Sequence, residues 1–171
     1  VRGVGGIVAR LYRRRLTGDA LGNRSRTHSR QRHRRAEAQV AAVDFVGGDG
    51  LLMAPAWAVA QLLKRNNLSL QDFDFYEIHE AFETQVLCTL KAWESEEFCK
   101  EKLGMDAALG SIDRSKLNVV GSSLALGHPF AATGARLVAT AAKLLQEKGS
   151  GRVLLSVCTA GGMGVAAIIE R

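Results

Sequence analysis

Two short stretches in the last third of this 171-residue chain carry side chains suited to chemistry. In Gly127-His128-Pro129 an imidazole lies between a glycine and a proline, so its backbone is constrained and its ring can be aimed. Thirty residues further on, Cys158 opens the run Cys158-Thr159-Ala160-Gly161-Gly162-Met163-Gly164. There a thiol meets a glycine-rich turn whose N–H groups can favour a thiolate or receive an oxyanion. A proton shuttle, a thiol and free backbone amides are the equipment of acyl-transfer or carbon–carbon bond chemistry. A third candidate is His79, at the strand-to-helix handover His79-Glu80-Ala81-Phe82, where open α/β sheets place ligands. Each also has a plainer reading: a lone histidine at such a junction commonly serves as a cap, and cysteine is commonly a buried packing residue. Cys88 and Cys99 lie in a helical stretch with no histidine at helical spacing and read as packing residues.

The elements that must hold these residues follow from periodicity. Gly47-Gly48-Asp49-Gly50 leads into Leu51–Asn67, an amphipathic helix with Pro55 near its first turn, where a missing N–H costs little. Ser69-Leu70-Gln71-Asp72 has capping-box spacing and predicts a short turn. Phe73–Ile78 alternates apolar with acidic residues and predicts a strand. A helix over Glu80–Trp93 and a second, charged helix through Leu103 follow, then a surface loop over residues 104–117. Asn118-Val119-Val120 reads as a short buried strand, Ser122–Pro129 as a tight connection, and Thr133–Lys148 as a helix stopped by Gly149. Arg152–Cys158 and Met163–Glu170 read as two strands, antiparallel because their link is short. The order α-β-α-α-β-α-β-β predicts a layered α/β domain.

Composition bounds the rest. With 47% apolar and 23% charged residues, the chain has material for one globular domain with a sizeable core, and no apolar run is long enough for a membrane span. Three cysteines without paired spacing suggest a reducing compartment and no metal site. The net charge of +6 is uneven: residues 1–36 hold eleven arginines against Asp19 alone, and the remainder is mildly acidic at −4. Residues 1–42 therefore read as an Arg-rich, disordered leader ahead of a domain over residues 43–171. That leader is similar to a mitochondrial targeting segment; an RNA-binding tail and an artefact of how the gene is delimited are the alternatives.

Three ordered motifs together resemble the thiolase family, specifically its carboxyl-terminal half, and come closest to the 3-ketoacyl-CoA thiolase subunits of fatty-acid β-oxidation complexes. They are Tyr76-Glu77-Ile78-His79-Glu80-Ala81-Phe82, the long run from Asn118 through Gly127-His128-Pro129 to Arg136, and Cys158 through Gly164. The resemblance covers about residues 43–171. It implies a mixed sheet with helices on its faces and cleavage of 3-ketoacyl-CoA by coenzyme A, with coenzyme A as a substrate and no cofactor.

It also implies roles. His128 would be the base for a nucleophilic thiol and an oxyanion donor, Cys158 the acid that protonates the leaving acetyl-CoA carbanion and later the base for incoming CoA. His79 stands where many thiolases have Asn and would be a second oxyanion donor. The Ala160 N–H would be a further oxyanion donor, and Ala81 and Phe82 would line the acyl-pantetheine slot. Ser122 stands where the family usually has a second glycine, which predicts crowding of a close backbone approach. The family's nucleophilic cysteine belongs to its amino-terminal half, so the chain alone is expected to be inactive. Its implied partners are that other half or a second subunit, in an oligomer. Helix Thr133–Lys148, through Ala135, Leu137, Val138, Ala139, Ala142 and Leu145, resembles the one each half packs on its twin. The alternatives from other classes are a non-catalytic remnant that binds CoA esters or a partner, and a nucleic-acid-binding leader.

Overall fold

The computed structural model describes residues 37–171 apart from residue 45. Four strands lie side by side: β1 (Glu37–Val43), β2 (Phe75–Ile78), β3 (Arg152–Thr159) and β4 (Met163–Glu170), in the order β1-β4-β3-β2. β4 runs antiparallel to both β1 and β3, and β2 runs parallel to β3, so the sheet is mixed. The β3–β4 hairpin turns over Ala160–Gly162 and sets Cys158 opposite Gly164. Five α-helices join the sheet among the described residues: α1 (Ala54–Asn66), α2 (Glu83–Glu94), α3 (Glu96–Glu101), α4 (Ser123–Leu126) and α5 (Thr133–Lys148).

Successive side chains of a strand point to opposite faces, and here both faces are covered. Leu154 of β3, with Ala166 and Ile168 of β4, packs towards α1 and α2 in a cluster that includes Val59, Leu62, Leu63, Leu90 and Trp93. The alternate residues Val153, Leu155 and Ile169 pack with Leu137, Ala141 and Leu145 of α5. Each fully buried leucine of this kind contributes about 1.5–3 kcal/mol. The acidic residue of β2's alternating pattern therefore does not meet water: Glu77 is 0% exposed.

The helix limits have local causes. Pro55 falls in the first turn of α1, and Asn67 ends that helix in the left-handed region with its N–H on the Leu63 and Lys64 carbonyls. The two helices expected between Glu80 and Leu103 are separated at Ser95, which caps α3, its Oγ accepting from the Phe98 N–H at 3.1 Å. Gly164 lets α1 sit directly on β4: a Cβ there would lie 2.4 Å from the Ala54 carbonyl carbon and the Pro55 nitrogen.

The structure differs from the sequence reading in four places. β1 occupies residues 37–43, all but the last of which fall in the expected leader; it pairs with β4 from Glu37↔Glu170 to Val43↔Gly164 and buries Ala41. The expected disorder of residues 1–36 lies outside the described residues. Asn118-Val119-Val120 is a turn rather than a buried strand, with Asn118 at φ 48° and Val120 57% exposed. Only Leu117 bridges to β2, at Tyr76, and Asn118 then bends the chain away. The starts of α1 and α2 fall three residues later than periodicity suggests, which leaves His79–Phe82 as a loop. Finally, Leu137 and Leu145 of α5 face this domain's own sheet, while Ala135, Val138, Ala139 and Ala142 remain exposed on the other side.

Candidate active site

The parallel pairing of β2 with β3 continues one residue past the strand end, where the His79 N–H donates to the Ser156 carbonyl at 2.8 Å. That bond delivers His79 to the carboxyl end of the sheet, beside Cys158 two residues further along β3. On the free edge of β2, Asn118 takes the place of a neighbouring strand. Its Oδ1 accepts from the Ile78 N–H at 2.8 Å and its Nδ2 donates to the Ile78 carbonyl at 3.0 Å. The same Nδ2 donates to Glu80 Oε1 at 2.8 Å, and Glu80 Oε2 accepts from the Leu124 N–H at 3.1 Å. The loop carrying His79 is thereby fastened to the α4 segment that leads to His128.

Gly127, at φ 91°, ends α4 in a conformation that a residue with a Cβ resists, and the chain turns into His128 and Pro129. The two imidazoles meet, with ring centroids 4.4 Å apart and planes at 42°. His128 Nδ1 lies 2.5 Å from Thr133 Oγ1 at the start of α5, which leaves Nε2 for the cleft. Phe130, 87% exposed, stands 5.1 Å from the His128 ring. His79 is buried and its Nδ1 lies 2.8 Å from Ser123 Oγ.

All six residues singled out from the sequence line one cleft of about 280 Å3: His79, Ala81, Phe82, His128, Cys158 and Ala160. A second cleft of about 400 Å3 shares His128, Cys158 and Ala160 and extends along Thr133, Val157 and Val165. Cys88 and Cys99 are elsewhere; Cys99 is buried with its Sγ 3.5 Å from the Ala92 and Trp93 carbonyls, and Cys88 is exposed on α2.

The electrostatics sort these groups. Burial, helped by the nearby charges of His128 and Arg136 and opposed by Glu80, pushes His79 down to about 4, so its ring is neutral at pH 7. Burial pushes the Cys158 thiol up, while the backbone amides of Cys158 and Ala81 pull the other way; the thiol therefore holds its proton at neutral pH. Burial lifts Glu77 to about 7, against the pull of Arg136 and with the push of Glu80. Both Glu77 oxygens, and Nε and Nη1 of Arg136, are buried without a hydrogen-bond partner. Among the described residues no group of three or more His, Cys, Asp or Glu is placed to hold a metal, and no helix is long and apolar enough to cross a membrane.

The sequence matches the family described as thiolase, C-terminal domain, over residues 33–171. The chain belongs to the thiolase family. Thiolase relatives agree with that match: it is 48% identical over 122 residues to a 3-ketoacyl-CoA thiolase of Shewanella amazonensis, covering 71% of this chain and 28% of that protein. Against the 3-ketoacyl-CoA thiolase of Shewanella loihica the figures are 48% over 120 residues, 70% and 28%. The crystal structure of the Bacillus anthracis acetyl-CoA acetyltransferase superposes with a TM-score of 0.61 at 34% identity, covering 77% of this chain and 29% of that one. This thiolase chain thus spans under a third of the length of the curated relatives it matches.

Several thiolase residues that set the geometry were not singled out from sequence as site residues. Asn118, Glu80, Ser123, Thr133 and Arg136 all lie inside the quoted motifs, but their work is done across separations of up to 44 residues that periodicity does not see. Ser122 does not crowd the backbone. Its φ of −136° is open to any residue, and its hydroxyl donates to the Ile78 carbonyl at 3.2 Å.

Proposed function

We propose that this domain supplies the acid–base and oxyanion-stabilising half of a 3-ketoacyl-CoA thiolase, which cleaves 3-ketoacyl-CoA with coenzyme A to acetyl-CoA and a shortened acyl-CoA. The observation that carries this reading is the convergence of His79, His128 and Cys158 on one cleft, with the two rings 4.4 Å apart.

In this reading a cysteine of the other thiolase half attacks the 3-keto carbon after His128 takes its proton. The carbon–carbon bond breaks, leaving an acyl-thioester on that cysteine and the acetyl-CoA enolate. His79 and His128 donate hydrogen bonds to the enolate oxygen, where its charge develops. Cys158, a thiol at neutral pH, gives its proton to the enolate carbon. As a thiolate it then takes the proton of incoming CoA, whose sulfur displaces the acyl group from the nucleophile. The Ala160 N–H serves the tetrahedral oxyanion, and Ala81 and Phe82 wall the acyl-pantetheine slot. Coenzyme A is a substrate, and no further cofactor enters.

The nucleophile is not one of this chain's described cysteines outside the cleft: Cys99 is packed against carbonyls and Cys88 is on the outside of α2. We assign it to an amino-terminal thiolase half, in the same polypeptide or a second subunit. The exposed Ala135, Val138, Ala139 and Ala142 of α5 offer the apolar face for that assembly. A mitochondrial address rests on the arginine-rich residues 1–36, which lie outside the described residues.

The experiment is complementation: the chain is mixed with an amino-terminal thiolase half and CoA-dependent loss of a 3-ketoacyl-CoA is followed. Turnover that disappears in a His128→Ala variant is expected. Stable association without turnover would reject the catalytic reading in favour of a CoA-ester or subunit-binding remnant.

A further inference from the structure

His79 lines the cleft and turns Nδ1 to Ser123, so which nitrogen carries the ring's proton decides whether the remaining one, Nε2, is a donor or an acceptor. Three side chains fix that choice. Arg136 has only donors, and its Nη2 lies 3.0 Å from Ser123 Oγ and 3.5 Å from Ser122 Oγ. Both serines are buried, so each hydroxyl that accepts from Arg136 must pass its own hydrogen on. Ser122 passes it to the Ile78 carbonyl at 3.2 Å, a group that can only accept. Among the described residues, the acceptor that meets the Ser123 hydroxyl is His79 Nδ1 at 2.8 Å.

We propose that Arg136, through Ser123, holds His79 as the Nε2–H tautomer, making Ser123 and Arg136 positioning residues that turn this histidine into a hydrogen-bond donor at the cleft. The ring has a single proton to place, because burial and the neighbouring His128 and Arg136 keep it neutral. With Nδ1 accepting, that proton sits on Nε2, which makes no hydrogen bond among the described residues. The other charged neighbour, Glu80, does not compete: its oxygens are taken by Asn118 and the Leu124 N–H. The remaining carboxylate, Glu77, bears on Arg136 by charge rather than on His79 by hydrogen bond. The catalytic use of that donor rests on the function proposed above; the tautomer does not.

The test is therefore made first without substrate. Nitrogen-15 NMR of the full chain distinguishes the two imidazole tautomers, and a His79→Asn variant assigns the signal among the four histidines. The expected wild-type spectrum shows His79 wholly as Nε2–H. Ser123→Ala should lose that single signature to a mixture, and Ser123→Thr should restore it. If Ser123→Ala does not fold, Ser123→Cys, a weaker donor in the same place, should give the mixture. An Nδ1–H wild-type ring, or a tautomer unchanged in the folded Ala or Cys variant, overturns the proposal whatever the enzyme does. In the complemented enzyme, Ser123→Ala should lower kcat about 10- to 100-fold with KM little changed, less than the 10²–10³ typical of deleting an oxyanion donor. Failure of complementation would strike the proposed function and leave the NMR result standing.

Discussion

Replacing Glu77 by glutamine isolates the cost of a carboxylate that the fold encloses without a partner. Glu77 is 0% exposed in β2, neither oxygen has a hydrogen-bond partner, and burial lifts it from an ordinary 4.5 to about 7. The folded chain thus holds this proton more tightly than the unfolded chain does. Its stabilising contribution is complete below about pH 4.5 and is lost as pH rises through about 7. At about 1.4 kcal/mol per pH unit, the gap between those values amounts to at most about 3 kcal/mol. Arg136 opposes the loss and Glu80 adds to it. Glutamine has the shape of the neutral acid and cannot ionise. Glu77→Gln should therefore match the wild type near pH 4 and exceed its unfolding free energy by up to about 3 kcal/mol near pH 8. Urea unfolding followed by fluorescence of Trp57 and Trp93 measures both proteins across that range, and taking the difference cancels His79 and every other shared titration. Parallel stability profiles from pH 4 to 8 would refute the reasoning, because they would mean that Glu77 ionises in the folded chain as easily as in the unfolded one.

Asn118→Ala removes two hydrogen bonds to Ile78 and one to the Glu80 carboxylate, and should cost about 2–4 kcal/mol in urea unfolding. A loss within about 0.5 kcal/mol, ordinary for a surface change, would contradict the strand-substitute role. Gly164→Ala puts a methyl group against the backbone at the start of α1 and should destabilise by about 1–3 kcal/mol, read as a melting temperature lower by about 4–12 °C. An unchanged melting temperature would show that α1 can lift off β4 freely. Buried Cys158 should be alkylated by iodoacetamide far more slowly than exposed Cys88 at pH 7.5, as peptide mass mapping would record. Equal rates would argue against a protonated, enclosed Cys158.

The parts of this domain that were legible in sequence are those whose signals are local. Helix α5 between Thr133 and Gly149, and the β3–β4 hairpin about its glycines, follow from caps, periodicity and a short link. The cleft residues were legible through motif order, since neither His79 nor Cys158 is distinctive by itself. Strand β1 was not, because its Ala-rich run after an arginine-dense segment has little apolar signal and becomes a strand only by lying along β4. The valines that follow Asn118 suggest a strand, whereas its left-handed backbone and its side chain's grip on Ile78 decide the outcome. Helical amphipathicity likewise did not say which side of α5 meets the sheet. The Arg136–Ser123–His79 chain joins residues 13 and 44 positions apart, beyond any spacing rule.

The clasp that Asn118 and Glu80 make between two loops has a consequence for assembly. Both imidazoles ride on backbone that this domain locks to itself, so their mutual spacing owes nothing to whatever closes over them. In the assembly proposed above, an incoming half would have only to aim one sulfur at a pre-set target, and a loose or slow association would cost encounter frequency while leaving the aim of the waiting rings intact.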